Sequence, residues 1–272
     1  MKNENSMLIC PVCKGKIALN HETYICESGH CYDIAREGYV NLLTVNQKKS
    51  NSPGDNKIMM NARKDFLEKG YYDVLIDEID KEIKLEDTVE SCVDIGCGEG
   101  YYTSKFRELN KNINFIGMDI SKEAIKKASK RREDIIWVVG GSNNIPIMNN
   151  SIDIIVQIFA PHNVDEYLRI MKTDAKLITV TPGEEHLLKL KELLYEDVYL
   201  NDQKYINDER LSVVKEDRVS MKINVSSGDD ISNLLKMTPY YYRTNEDKIE
   251  ELCKLEKLET EIDFNIRVYK RK

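Results

Sequence analysis

The chain has 272 residues, 41% of them hydrophobic and 32% charged, with a formal net charge of −7. Thirteen Gly and six Pro are too few for a fibrous or low-complexity protein. No apolar run approaches the roughly 18 residues that a membrane span needs, so no membrane partner is expected. The start, MKNENSMLICPVC, holds no apolar leader segment, which makes a cytoplasmic location the expectation. The excess of acid argues against a general polyanion binder. Yet residues 1–70 carry 10 basic and 8 acidic side chains, and the acidic surplus falls on the remainder. A localised RNA footprint near the N-terminus therefore stays open.

Four of the seven cysteines lie in the first 31 residues. Cys10-Pro-Val-Cys13 is a C-x2-C knuckle; Cys26 follows, and then His30 and Cys31. Two donors from one tight turn and two from another form the tetrahedral S/N set of structural zinc, with the fourth ligand open between His30 and Cys31. A redox C-x-x-C pair is the weaker reading, because no helical pattern follows Cys13. Such a metal supplies folding energy, about 10–16 kcal/mol of apparent binding, to a segment too small to own a core. Residues 1–45 thus read as a zinc ribbon with short strands at 23–26 and 38–42. Residues 46–84 read as a linker plus a helical segment, its apolar positions spaced for two helices divided at Gly70.

From residue 85 onward, strands and helices alternate. Strands are expected at 89–95, 114–119, 135–139, 152–159 and 177–181, the fourth being near-continuously apolar and so central. Helices are expected at 102–109, 122–132 (with Ser121 as N-cap) and 164–171. This pitch means a doubly wound, mostly parallel α/β sheet over residues 85–272. The last third changes character: a long helix at 184–199, a strand at 218–225, a helix at 229–236 and a closing strand at 258–269. No internal repeat is evident.

The first strand of this region runs into Asp94-Ile-Gly96-Cys97-Gly98-Glu-Gly100. Glycines at a strand-to-helix turn let a ligand approach the backbone, and the spacing differs from the dinucleotide G-x-G-x-x-G pattern, whose third glycine would fall at Tyr101. Asp119 ends the second strand, where a carboxylate can accept both hydroxyls of a ribose. This combination resembles the class I S-adenosylmethionine (SAM)-dependent methyltransferases and their Rossmann-like doubly wound sheet. The resemblance implies cofactor contacts at Asp94, Gly96, Cys97, Gly98, Gly100, Asp119 and Ile120. It adds Ser142 and Asn143 beside the adenine, and Phe159, Ala160 and Pro161 facing the transferred methyl. The Pro-Gly-Gly turn frequent before the fifth strand of that family is replaced here by Lys172-Thr-Asp-Ala175, far from the ligand.

More particular is the order CPVC…CESGH, YDIAREGYVNLL, SPGD, MMNARKDFLEKGYY, DIGCGEG, IFAP, TPGEEHLLKLKELLY, LLKMTPYYYR and FNIRVYKR. It is similar, over nearly the whole chain, to the 23S rRNA (guanine-N(1)-)-methyltransferases, which modify a guanine in a hairpin near the peptide exit tunnel. That family's pattern places the zinc ligands at Cys10, Cys13, Cys26 and His30. It also implies a homodimer whose two zinc domains form an RNA-binding cleft, with 23S rRNA as the partner, and one branch of it affects macrolide sensitivity.

Guanine N1 normally carries a proton and pairs with cytosine, so the base must be unpaired or flipped and then held by stacking. Pro239-Tyr240-Tyr241-Tyr242-Arg243 offers aromatic faces and a cation for a developing O6 anion, although packing is an equal role for those tyrosines. His162 is the first candidate proton acceptor, with Asp55, Glu184 and His186 behind it. Arg36, Lys48, Lys49, Lys57, Arg63 and Lys64 form the expected phosphate-contacting cluster, whereas the basic run at 122–132 reads as a solvated face. Two rivals remain at this stage: a small-molecule methyltransferase buttressed by the ribbon, and a non-catalytic zinc-ribbon adaptor.

Overall fold

The computed structural model of the protein describes residues 7–47, 56–85 and 88–272. The N-terminal segment forms a small antiparallel sheet of β1 (Ile17–Asn20), β2 (Thr23–Cys26) and β3 (Cys31–Asp33). Strand β4 (Tyr39–Asn41) leaves that sheet and joins the large one as an edge strand, pairing in parallel with a later strand through Tyr39–Trp137 and Asn41–Val139. Helices α1 (Lys57–Leu67) and α2 (Val74–Lys84) follow. They are divided at Gly70, whose φ of +79° is the left-handed conformation that lets a helix stop there.

The alternation then appears as expected: β5 (Ser91–Ile95), α3 (Tyr101–Leu109), β6 (Asn114–Asp119), α4 (Lys122–Ala128), β7 (Ile136–Val139), β8 (Ile152–Ile158), α5 (Val164–Ile170) and β9 (Met171–Pro182). The remaining elements are α6 (Leu188–Leu194), β10 (Leu211–Val225), α7 (Gly228–Lys236), α8 (Glu246–Cys253) and β11 (Leu258–Arg271). The large sheet runs β10-β11-β9-β8-β5-β6-β7-β4. All pairs from β9 to β4 are parallel, while β11 lies antiparallel to both β9 and β10. This is the Rossmann-like mixed sheet of a class I methyltransferase. Its order reverses between β5, where β6 and β7 extend to one side, and β8, where β9 extends to the other. In such sheets the crevice at the carboxyl ends beside the reversal takes the ligand.

Two apolar layers sandwich the sheet. One is built on Phe66, Ile79, Phe106, Ile125 and Trp137 with the C-terminal helices, and the other on Ile116, Val138, Ile155, Tyr167 and Leu177. Leu8, Cys10, Ile17 and Val40 belong to the second layer, so the ribbon shares a core with the sheet.

Several elements differ from the sequence-based expectation. The helix expected at 184–199 is confined to Leu188–Leu194. Its predicted first turn is used otherwise: Leu187 stands at φ +58° and donates its amide to Glu261 O of β11 at 2.8 Å. Asn201 then folds the following loop back by donating to Gly183 O at 2.8 Å and His186 O at 3.3 Å. Helix α4 ends at Ala128 rather than residue 132, because Arg131 turns away to pair with the buried Glu99. The strand expected at 177–181 begins at Met171 and absorbs Lys172–Ala175, and the strand expected at 218–225 begins at Leu211. Short β1 and β3, and helix α8, had no strong periodic signal. Among the described residues, no helix is long and apolar enough to cross a membrane.

Candidate functional site

At the N-terminus, Cys10, Cys13, Cys26 and His30 present ligand atoms that all lie within 4.8 Å of one another. The knuckle turn is closed by Cys10 N donating to Gly15 O at 2.8 Å and Lys14 N to Cys10 O at 2.9 Å. The second turn is closed by Gly29, at φ +82°, donating to Cys26 O at 2.9 Å. Cys31 is exposed, with its thiol turned to Gly29 O, and the fourth side chain of the cluster is His30. Three thiols and one imidazole at this spacing fit structural zinc, all four positions being filled by protein. A backbone hydrogen bond from Gly15, helped by side-chain hydrogen bonds from Ser28 and Cys10, holds the Cys13 thiol down at about 7, a value suited to a thiolate donor.

The second cluster lies at the carboxyl ends of β5, β6 and β8. Asp94 is buried on β5, and burial pushes its carboxyl up to about 7; the Thr103 hydroxyl, which donates to Oδ2, pulls the other way, and the nearby Asp119 charge adds to the rise. Its Oδ1 is buried without a hydrogen-bond partner. A buried carboxylate oxygen left unpaired is costly, so an incoming ammonium or water has a ready position here.

Three positions of the loop after Asp94 are restricted to glycine. Gly96, Gly98 and Gly100 adopt φ of +80°, +57° and +81°. A Cβ on Gly96 would stand 2.4 Å from the Ala160 Cβ, and one on Gly100 would stand 2.6 Å from the Trp137 ring. The Gly96 and Cys97 amides donate to Met118 O at 2.8 and 3.0 Å. The Asp119 carboxylate accepts from the Gly98 amide at 3.0 Å and the Ser121 amide at 2.7 Å. The result is a glycine turn between an acid on β5 and an acid on β6, and these two carboxylates fit the methionine ammonium and the ribose of SAM.

The loop at 140–144 follows β7 on the same side of the sheet. Ser142 is half-buried and Asn143 exposed, the latter accepting from the Asn163 side chain at 3.2 Å. Beyond β8, Phe159 is held at φ +53°, a conformation strained for a phenylalanine, and keeps 43% of its surface exposed. Its ring stacks on His186 with centroids 6.2 Å apart and packs against Phe264 at 5.5 Å. His186 and Phe264 in turn meet the edge of Tyr72, whose hydroxyl is buried without a partner. Ala160 abuts Gly96, while Pro161 and His162 are exposed.

His186 is buried among these rings and accepts the Asp263 amide on Nδ1 at 3.3 Å. Burial pushes it down to about 3, so it is a neutral packing residue, and as a general base it is disqualified by lacking a free Nδ1. Glu184 is exposed, and Asp55, Lys48 and Lys49 lie outside the described residues. Arg63 departs from the expected phosphate cluster. Its guanidinium lies over the glycine loop, Nη1 3.6 Å from where a Gly98 Cβ would stand, with Nη2 donating to Met237 O at 3.4 Å. In the basic run, Lys126 pairs with Glu37 at 3.0 Å and Lys127 with Asn61 at 2.5 Å, and Arg131 turns inward to the buried Glu99, so the run is less solvated than expected. The tyrosines of Pro239–Arg243 form a 3-10 turn over α1, where Tyr240 meets Tyr195 edge-on and Tyr242 reaches Asn56. Sequence reasoning gave no role to Tyr72, Thr103, Asp263 or Phe264; Tyr72 and Phe264 end and begin quoted stretches, but their partners in the site are fixed only by the fold.

Two family models match this chain. Residues 8–51 match the family model described as RlmA, N-terminal, and residues 93–178 match that of a methyltransferase domain. YxjB of Bacillus subtilis (strain 168), whose name places it among the 23S rRNA (guanine-N(1)-)-methyltransferases, is 31% identical over 97% of this chain and 96% of its own. The 23S rRNA (guanine(748)-N(1))-methyltransferase of Streptomyces fradiae is 29% identical over 71% of this chain and 69% of its own. Among solved structures, a SAM-dependent methyltransferase from Thiobacillus denitrificans in complex with S-adenosyl-L-homocysteine superposes with a TM-score of 0.44 at 11% identity, covering 72% of this chain and 90% of that one.

Proposed function

Because the chain belongs to the family of 23S rRNA (guanine-N(1)-)-methyltransferases, we propose that its crevice methylates N1 of a guanine in a hairpin near the peptide exit tunnel. The observation that carries this reading is the coexistence, in one chain, of a Cys3His ribbon and an Asp94–glycine loop–Asp119 cradle in the expected order. SAM supplies an electrophilic methyl on a sulfonium; the remaining tasks fall to protein residues. Asp94 and the surface of the glycine loop receive the methionine end, Asp119 and Ile120 the ribose, and Ser142 and Asn143 the adenine. Phe159, with Ala160 and Pro161, forms the wall that faces the methyl.

The target base has to leave its pair, because N1 sits on the Watson–Crick edge. The exposed face of Phe159 then offers stacking, and its strained backbone is the sort of feature that persists when a site needs it. His162, exposed at the end of the same loop, is the candidate to accept the N1 proton. Holding N1 in line with the methyl is the larger part of the work, since positioning alone can supply several kcal/mol. We further assign residues 1–45 to a ribbon that recognises rRNA, 46–84 to a connecting segment and 85–272 to the methyltransferase domain, acting as a cytoplasmic homodimer.

Reverse transcription across the tunnel hairpin of 23S rRNA tests the reading. A methyl on N1 halts the polymerase one nucleotide short, so a stop is expected with the intact protein and not with Asp94→Ala. Full read-through by a protein that still binds SAM would overturn the guanine assignment.

A further inference from the structure

The loop at 140–148 has little regular structure of its own, and its backbone is held between the zinc ribbon and helix α5. Ile9 N donates to Pro146 O at 3.0 Å, and Met148 N donates to Met7 O at 2.9 Å. Leu8 and Ile147 form an antiparallel bridge between these two bonds. At the tip, Lys14 Nζ donates to Asn144 Oδ1, and Asn144 Nδ2 returns a long bond of 3.5 Å to Pro11 O. Pro11 and Lys14 belong to the turn that carries Cys10 and Cys13. From the other side, helix α5 grips the loop: Glu166 accepts the Ile145 amide at 2.6 Å, and Arg169 donates to Ile145 O and Ile147 O at 2.7 Å each. Gln47 and Leu43, from the segment after β4, close on Gly141, where a Cβ would stand 3.0 Å from Gln47 Nε2.

We propose that the zinc ribbon is the outer wall of the adenine end of the cofactor site, and that Lys14 is a positioning residue that fixes the loop at 140–144 through Asn144. The ribbon then does two jobs with one metal-closed turn: it offers a surface to RNA and it sets the shape of the SAM pocket. A loose turn frees Lys14 and Pro11, and the loop tip bearing Ser142 and Asn143 is then held from the α5 side alone, by Asn163 on Asn143 and by Glu166 and Arg169 on Ile145. Cofactor affinity thereby depends on ribbon integrity even with no RNA present. This inference rests on the assignment of the loop to adenine, and the test separates the two.

Binding of S-adenosyl-L-homocysteine to the zinc-loaded full chain, followed by calorimetry with metal content measured in parallel, is the readout. Lys14→Ala is expected to weaken binding by about three- to tenfold, the change that one lost hydrogen bond brings, at unchanged metal content. Lys14→Arg should restore it. Glu27→Gln, an exposed change elsewhere in the ribbon, should leave it unaltered. Ser142→Trp, which fills the loop from within, should abolish it, and metal removal by a chelator should weaken it in the same direction as Lys14→Ala. If Ser142→Trp abolishes binding while Lys14→Ala and metal removal leave it intact, the coupling is overturned and the adenine assignment stands. If Ser142→Trp binds normally, the adenine assignment falls and the coupling falls with it.

Discussion

The Asp119 carboxylate accepts the Gly98 amide at 3.0 Å, so the last residue of β6 holds the middle of the glycine loop that follows β5. One side chain thus shapes the cradle and is also the proposed ribose ligand. Asp119→Ala removes both roles and should weaken S-adenosyl-L-homocysteine by roughly 10- to 100-fold, the range for losing a hydrogen bond to a charged group. Asp119→Asn keeps one acceptor oxygen and should lose less. Affinities equal to the parent's for both variants in calorimetry would remove Asp119 from the site.

Steric room decides the second prediction. Gly100 stands at φ +81° with its missing Cβ 2.6 Å from Trp137 Cη2 and 2.8 Å from the Ala128 Cβ. Gly100→Ala overpacks this corner and strains the backbone, so a loss of about 1–3 kcal/mol is expected in urea denaturation. A loss below about 0.5 kcal/mol would mean that the Trp137 ring yields freely.

The third prediction concerns protons. Asp94 keeps its proton in the folded chain up to about pH 7, whereas the unfolded chain loses it near the ordinary carboxylate value of 3.8. The folded state therefore binds the extra proton, and the stability this group contributes falls as pH rises between those values. His186 works in reverse: the unfolded chain is protonated below 6.5 and the folded chain only below about 3, so stability is lost as pH falls through that window. The two effects oppose each other over most of their range. Asp94→Asn should consequently gain stability relative to its parent as pH is raised from about 4 to 7. Denaturation curves showing a constant difference across that range would exclude a protonated Asp94.

Metal dependence separates neighbouring residues. Cys31→Ser should retain a full equivalent of zinc, because Cys31 is exposed and its thiol faces Gly29 O. His30→Ala should lose or weaken the metal and lower the melting temperature, since ribbon and sheet share the core around Leu8 and Val40. Metal analysis reporting the opposite pattern would move the fourth ligand to Cys31.

Stacking sets the fifth. Phe159→Ala should lower kcat/KM for the rRNA substrate by roughly 5- to 150-fold, as loss of one base–aromatic stack does, and Phe159→Tyr should recover much of it. A parallel fall in S-adenosyl-L-homocysteine affinity of the same size would place the ring on the cofactor instead of the base.

What could be read in advance followed local chemistry. The glycine loop, Asp119, the Ser121 cap and the parallel strands announce themselves through spacing and period, since each depends on backbone conformation within a few residues. The choice of His30 over Cys31 needed either family pattern or coordinates, because both offsets suit a metal. The rest depended on distant partners. Glu184–Leu187 has a helical composition, but Leu187 N is taken by Glu261 O and Gly183 is packed against Asp263, where a Cβ would stand 2.2 Å from the carboxyl carbon. Tyr72 and Phe264 are nearly two hundred residues apart yet form one wall with Phe159 and His186. Arg63 lies within a basic cluster in sequence, and only tertiary packing reveals that it faces the glycine loop.

Strand β4 is made early and pairs with β7, made about a hundred residues later. During synthesis the ribbon can close around its metal while its own last strand still waits for a partner, so the N-terminus and the nucleotide-binding half must meet before either is finished. A chain begun after residue 47 would leave β7 as a bare parallel edge, open to pairing with other molecules. The ribbon is therefore no portable cassette: moving it elsewhere would take a strand out of the catalytic sheet.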